Sequence, residues 1–578
     1  MPCERGKVGA VGGTGIKMGN NNGRKQHSFR QRKQLLTVLV LSSILGMGLY
    51  AVPAWAETKT ISGDEVKVET KTSGVQTTAI NLDNGGIGSK TSASGNTLTI
   101  SGGTIPASGP GSNIFGGVVA SNLNSAATTV SNNSLTIAGN TAIGQEGGKV
   151  FLFGGFLSDY KATKEPTVET VGEPQVDNDK EQFTISGNTV TAAAVKNAGE
   201  VSVYGGAQGI PDDPQSIWIH RYYFDAGTAS VVKNAVYLGT TAQKEADGTY
   251  SKEGITENTI STIKDNFYSK VYGGYATQGT AANNTIIARN IGLNDIMVGG
   301  MNYFGEANSN AVTFSGSYGY DAVIIGGFSE ANYLCPNGDV KYNTVSITDS
   351  ISHMVIGGSA YANANRQGGD FETAYLGFSA IENHVTIQGD SSIDGVFGGM
   401  SHGGAVSNTV DVISGSVANI WGGYSEGMFE WNGSSISAEK NSVTIGKKDG
   451  STKPIIGSTV IGGQATFENA IQNQVQIYSA SVGDEEASLP VTVSRSDSYS
   501  HWSEFRQITH TIAGGVATNI SDGDDFDGGQ AIDNHVSIND STIGTEISNI
   551  YGGYSGLNAS TNTVTLTNTT AALGTETP

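Results

Sequence analysis

Cysteine is almost absent: two in 578 residues, Cys3 and Cys335. Cys3 falls in the export leader described below, so the mature chain keeps one and no intramolecular disulfide forms. Proline is also scarce, at 12 residues against 81 glycines. Outside the leader no segment shows a sustained 3.6-residue apolar period, which excludes a helical bundle. No second apolar stretch of spanning length occurs, so the mature chain does not insert in a membrane through helices. Positive charge is short as well, with 32 Lys and Arg against 53 Asp and Glu.

The leader holds much of the basic charge. Arg24, Lys25, Arg30, Arg32 and Lys33 precede an apolar stretch from Leu35 to Val52. Ala54-Trp55-Ala56 then places small residues at both specificity positions of a cleavage site, which makes residues 1–56 a signal peptide and Glu57 the first mature residue. The n-region is long, so either the signal is extended or translation starts at Met18. The alternative reading of the apolar stretch is a membrane anchor; Pro53 and the small-residue site favour cleavage. Removing eight Lys/Arg and one Glu leaves 24 basic against 52 acidic residues, a net charge of −28. That argues against nucleic acid and anionic lipid as partners.

What the chain does have is one phrase repeated. An Asn opens an alternating strand, as in Asn343-Thr-Val-Ser-Ile347, and Val355-Ile356-Gly357-Gly358 follows. Twelve such Gly-Gly pairs occur, from Gly116-Gly117 to Gly552-Gly553. A unit this small cannot bury its own apolar face, so copies stack. In the strand, Val345 and Ile347 face inward while Thr344 and Ser346 face water. Asn343 shares the inner side, where its amide can bond the Asn of the next coil; the other reading is a polar turn residue in a left-handed conformation. Regular Val/Ile alternation weighs against disorder, the other state open to a Ser- and Asn-rich chain.

Compact steps of 24 to 31 residues between Gly-Gly pairs suit one coil each, and steps of 38 to 68 hold two coils or one coil plus an insertion. At roughly 25 residues per coil the mature chain gives about 20 coils, and at ~4.8 Å each a rod on the order of 100 Å. Residues 57–95 read as an N-terminal cap or leader to the solenoid, 96–570 as the repeat solenoid and 571–578 as a tail. The residue before each Gly-Gly is aromatic in seven of twelve copies, among them Tyr272, Phe397 and Trp421. The stripe reads either as a sugar-binding track or as packing, with each ring over the glycines of the adjacent coil. Interruptions near 158–182, 207–230, 240–256, 361–380, 428–440 and 480–508 are richer in charge and aromatics. Trp218, Ile219, Tyr222, Tyr223, Trp431 and Trp502 lie there and are the candidate partner-binding groups. The plainer reading is that these rings pin their own loops.

The long basic leader, the nearly cysteine-free acidic chain and units such as Val271-Tyr272-Gly273-Gly274-Tyr275, Ile420-Trp421-Gly422-Gly423-Tyr424-Ser425 and Ile550-Tyr551-Gly552-Gly553-Tyr554-Ser555 resemble the passenger of a bacterial autotransporter (type V secretion). The resemblance covers about residues 96–570. It implies a right-handed parallel β-helix (β-solenoid) with loop insertions, exported through the Sec pathway and displayed on the outer-membrane surface or released. It also implies an adhesin whose partners are host-cell, matrix or neighbouring-cell surface molecules, protein or glycan. The family's C-terminal membrane β-barrel, its translocator, is missing: the chain stops at Leu573-Gly-Thr-Glu-Thr-Pro578. A truncated product, an incomplete sequence and a passenger without its own translocator all stay open.

Two Gly-x-Ser-x-Gly matches, at Ser401 and Ser425, occupy one repeat position, so repetition explains them without a nucleophile elbow. The acidic run Asp522-Gly-Asp524-Asp525-Phe-Asp527 could hold Ca²⁺ through oxygen ligands, but Phe526 breaks the EF-hand spacing and a solvated turn is the plainer reading. His384 and His535 share an outer repeat position without metal-ligand spacing, and no metal or cofactor is assigned. Polysaccharide-cleaving β-helix enzymes need two or three carboxylates on neighbouring coils of one face. Outward positions of the compact strands carry only Asp411, so the reading is a surface protein without catalysis, with a secreted polysaccharide-degrading β-helix enzyme as the alternative.

Overall fold

The computed structural model describes residues 58–62, 78–81 and most of 92–572. Residues 1–57, 63–77, 82–91, 106–111, 121–128, 139–140, 159–181, 194, 198, 210–227, 240–265, 332–337, 363–378, 427–436, 467, 484–509, 519–528 and 573–578 lie outside the described residues. The leader, the acidic run 522–528 and Cys335 fall in that set.

Every strand pairing is parallel, and no described residue is helical. Fourteen strands, from Thr58–Ser62 to Thr563–Thr567, form the first sheet, and a 27-stranded sheet lies opposite it. A small third sheet joins Thr104–Ile105, Ala142–Ile143 and Lys196–Asn197. The fold is an all-β parallel solenoid. Thr58–Ser62 and Thr78–Asn81 pair in register with Thr97–Ser101 and Ser112–Ala120, so they extend both sheets as the first turn of the stack.

The wide steps turn out to hold one coil plus an insertion, not two coils. Among the described residues the fourteen strands of the first sheet mean fourteen coils, and at ~4.8 Å per coil these stack to about 65 Å, short of the 100 Å expected for about 20 coils.

Register follows the alternation. Val345 pairs with Val385, and the column continues through Val410, Val443, Val475 and Val536. Ile347 heads the matching column of Ile387, Val412, Ile445, Ile477 and Ile538. These side chains are buried to within 1 % and form one continuous core with Val355, Val396 and Ile420 of the second sheet. Thr344 is exposed and Ser346 half-buried on the opposite face.

The Asn residues form a ladder of thirteen rungs, from Asn96 to Asn562. Each Nδ2 donates to the Oδ1 of the next rung at 2.8–3.0 Å. Each backbone N–H donates to the same oxygen at 2.9–3.1 Å. The second Nδ2 hydrogen reaches a carbonyl of the preceding coil, for example Asn383 to Val340 at 3.0 Å. A buried carboxamide in this arrangement has its donors and acceptor all occupied, which is what makes its burial tolerable.

The ladder explains Gly-Gly. A Cβ on the second glycine of each pair would lie under 3.0 Å from the carboxamide of a ladder Asn, as Gly358 from Asn383. A Cβ on the first would meet the carbonyl of the first glycine one coil on, as Gly357 with Gly398. The residue before each ladder Asn is left-handed in all thirteen coils, with φ of 51–73°. It is Tyr342, Glu382, Lys440, Gln472 or Thr561 as readily as glycine. The left-handed corner anticipated at Asn is therefore real but sits one residue earlier.

Candidate ligand cleft beside the Gly-Gly kink

Outside the core, the residues flanking each Gly-Gly fill the groove formed where the long strand bends. Phe115, Phe153, Tyr204 and Tyr272 stack in sequence at 5.1, 4.8 and 5.1 Å, and Phe397 stacks on Trp421 at 4.7 Å. Tyr275 and Tyr424 meet this row edge-on. The Trp421 Nε1–H donates to Gln464 Oε1 at 3.0 Å. Burial, and then the Glu426 charge, pushes the Tyr424 phenol up. These rings are at most 4 % exposed. These eight rings pack on one another and offer no open face to a sugar, while Tyr551 at the last Gly-Gly is half-buried beside the exposed Tyr554.

Before Gly-Gly the outer face of the same strands mixes charged side chains such as Lys149, Glu200 and Lys270 with buried apolar ones such as Phe151 and Ile296. Lys149–Ser158, Glu200–Gln208, Phe267–Ala282 and Gly292–Asn308 lie side by side there. Lys149 faces Glu200, Phe151 faces Ser202, and Ser202 faces Lys270. Between Tyr268/Lys270 and Leu293/Ile296 the register shifts, because one residue on the first strand, Ser269, opposes two on the next. The extra residue makes a bulge carrying Asn294 and Asp295. Bulges re-aim side chains and recur next to functional sites.

The bulge walls a cleft of about 410 Å³ lined by Lys149, Phe151, Glu200, Ser202, Ser269, Lys270, Asn294 and Asp295. Lys149 Nζ is 3.1 Å from Glu200 Oε2, and Lys270 Nζ is 4.0 Å from Asp295 Oδ2. Two cations and two anions thus line one opening. Of its lining residues, Phe151 belongs to the buried cluster that contains the stacked rings.

The same outer strip continues along the axis. Tyr318 stacks on Tyr320 at 6.3 Å. Partial desolvation, then the carboxylates of Asp394 and Asp321 and the phenol of Tyr318, push the Tyr320 phenol up. His353 Nδ1 lies 2.9 Å from Asp394 Oδ2 one coil on.

Of the residues singled out in the sequence, Trp218, Ile219, Tyr222, Tyr223, Trp431 and Trp502 lie outside the described residues. Ser401 and Ser425 are buried, and their hydroxyls donate to the carbonyls of Gly404 at 3.0 Å and Gly403 at 2.6 Å. Both sit in extended strand where the elbow needs a strand-to-helix turn. His384 and His535 are on the outer face of the first sheet, beside Asp411 at 3.5 Å and Asp533 at 3.3 Å. Among the described residues no three His, Cys, Asp or Glu side chains gather as a metal site. Outward carboxylates of the Asn-opened strands do not reveal this cleft, whose acidic residues lie in the Gly-Gly strands. Glu200, Asp295, Asp321 and Asp394 all stand four or five residues before a Gly-Gly, and counting back from that pair would have found them.

No protein-family model, no curated protein and no solved structure matches this chain.

Proposed function

We propose that this is an exported, surface-displayed bacterial protein of the autotransporter-passenger kind, an adhesin or structural surface protein without catalysis. Its partners on this reading are host-cell, matrix or neighbouring-cell surface molecules, met chiefly by the interruptions that carry Trp218, Trp431 and Trp502. The supporting observation is the constancy of the ladder. Asn383 and Asn408, 25 residues apart, bond at 2.9 Å. Asn473 and Asn534, 61 residues apart with a long interruption between them, bond at 3.0 Å. A scaffold whose rung geometry is indifferent to what hangs between its coils suits loop presentation.

The test is deletion of 211–226 or 485–508 from cell-displayed protein, with adherence to cells or matrix measured alongside melting. Lost adherence at unchanged melting supports the reading. Parallel loss of both shows that the loops only brace the solenoid. A second reading, a polysaccharide-cleaving enzyme, draws on Glu200 and Asp295 lining one cleft. Each stands beside a lysine, at 3.1 and 4.0 Å, where a glycosidase needs one of its two carboxyls free to act as the acid. Release of reducing ends from pectin-like or host glycans by the purified protein would establish that reading in place of the first.

A further inference from the structure

We propose that the cleft bounded by Lys149, Glu200, Lys270 and Asp295 is a binding site for an uncharged oligosaccharide, bound without cleavage. The inference rests on the reading of the chain as a binding protein and adds a site on the scaffold itself, separate from the interruptions. Four observations carry it. The cleft, at about 410 Å³, falls within the range of small-ligand sites, roughly 300–1,000 Å³. Its walls are built into four consecutive long strands of a hydrogen-bonded sheet, so they are formed before any ligand arrives. A bulge places Asn294 and Asp295 at its rim. Its polar lining has no net charge, since two ammonium groups are matched by two carboxylates.

That last point selects the ligand. A phosphate or sulfate would gain from the lysines and lose to the carboxylates, and a polycation the reverse. A sugar hydroxyl donates and accepts at once, so vicinal hydroxyls can bridge an ammonium and a carboxylate that already stand 3.1 and 4.0 Å apart. Ser202, Ser269 and Asn294 add neutral donors and acceptors. Phe151, 8 % exposed and part of the lining, gives one apolar contact for a sugar C–H face. Glu200 and Asp295 then act as hydrogen-bond acceptors and not as an acid–base pair.

The experiment is calorimetric titration of the full mature chain with maltotriose, cellotriose, lactose and N,N′-diacetylchitobiose. Two variants accompany it. Lys270→Ala/Asp295→Ala removes one cation and one anion of the lining together, so its net charge is kept, and Ser269→Trp fills the opening. The expected result is saturable binding of at least one saccharide, weakened tenfold or more in both variants, with melting unchanged and no product released. No binding by any of the four, or binding that survives both variants, overturns the proposal. So does binding confined to sulfated or sialylated sugars or to charged peptides. Adherence assays separate the two proposals. If the wild type binds no saccharide or the cleft variants bind it as well as wild type, yet loop deletion abolishes adherence, the cleft fails and the adhesin reading stands. If saccharide binding holds while no displayed form adheres, the reverse is true.

Discussion

Replacing one rung of the ladder should cost the solenoid several kcal/mol, and a second substitution should return part of it. In Asn383→Ala four hydrogen bonds vanish. They are Nδ2 to Asn408 Oδ1 at 2.9 Å, Nδ2 to the Val340 carbonyl at 3.0 Å, and the two that Oδ1 accepts from Asn343, at 3.1 Å from N and 2.9 Å from Nδ2. Asn343 is fully buried, so its two donors are left without water. At roughly 1–3 kcal/mol for each stranded group the loss is about 4 kcal/mol. The void that remains lies against Gly358, where a Cβ would now overlap the Asn383 carboxamide. Gly358→Ala alone therefore overpacks, at ~1–3 kcal/mol. In the double variant the new methyl occupies the space the carboxamide left. The pair should be less destabilised than the sum of the singles by ~1 kcal/mol or more. Urea unfolding of the four proteins, followed by far-UV circular dichroism, measures the cycle, and hydrogen exchange of the 340–410 amides localises it. Additive losses, or a cost below ~1 kcal/mol for Asn383→Ala, would refute the account of why Asn and Gly-Gly occur together.

Three further expectations follow from the same geometry. Val345→Asp or Ile347→Asp should lower stability by several kcal/mol, since each side chain is at most 1 % exposed, whereas Thr344→Asp and Ser346→Asp should change melting little. Glu382 is exposed and left-handed with φ 51°, so Glu382→Gly should be neutral or stabilising by up to ~1 kcal/mol, while Thr386→Gly in the neighbouring strand should destabilise by about as much. Burial pushes the Tyr268 phenol above its ordinary 10.0; the unfolded phenol ionises first, so this stability is intact below pH 10 and declines as pH rises past it, and chemical denaturation at rising pH should show Tyr268→Phe losing less than wild type above that point.

The strands were legible because a period of two repeats thirteen times over, and inner Val and Ile cannot exchange places with outer Thr and Ser without turning the core inside out. The rung at Asn343 was legible as one of two readings, of which the axial amide bond holds and a left-handed Asn does not, since the left-handed residue is Tyr342. The corner itself was hidden because Tyr342, Glu382 and Lys440 carry no turn signature. The reason for Gly-Gly was hidden too. Gly358 is denied a side chain by Asn383, a neighbour created only by coil closure. Counting coils failed for a related reason: spacing alone does not distinguish two turns from one turn with a long excursion. The cleft depends on a single extra residue between Leu293 and Ile296, which no periodicity argument isolates.

The division of labour between ladder and loops has a physical basis. Stability in a stacked array comes from each coil's contact with its neighbours. Here that contact is concentrated in the inner Val/Ile columns, the Asn rungs and the glycine pairs, and each of these lies inside the body or at the bend. Loop closure grows costly only slowly with length. Lengthening the excursion between Asn473 and Asn534 therefore adds little entropy loss, while the rungs at its two ends stay within 3.0 Å. The outer strip before Gly-Gly has partial freedom: Lys149, Glu200, Lys270 and Asp295 stay partly exposed there, whereas Phe151, Ile296 and Val323 are buried in the outer apolar cluster. Surface chemistry in this chain can thus vary at two places, the interruptions and the strip, without touching what holds the coils together. The cleft of Lys270 and Asp295 occupies one of them, and the tryptophan-bearing interruptions occupy the other.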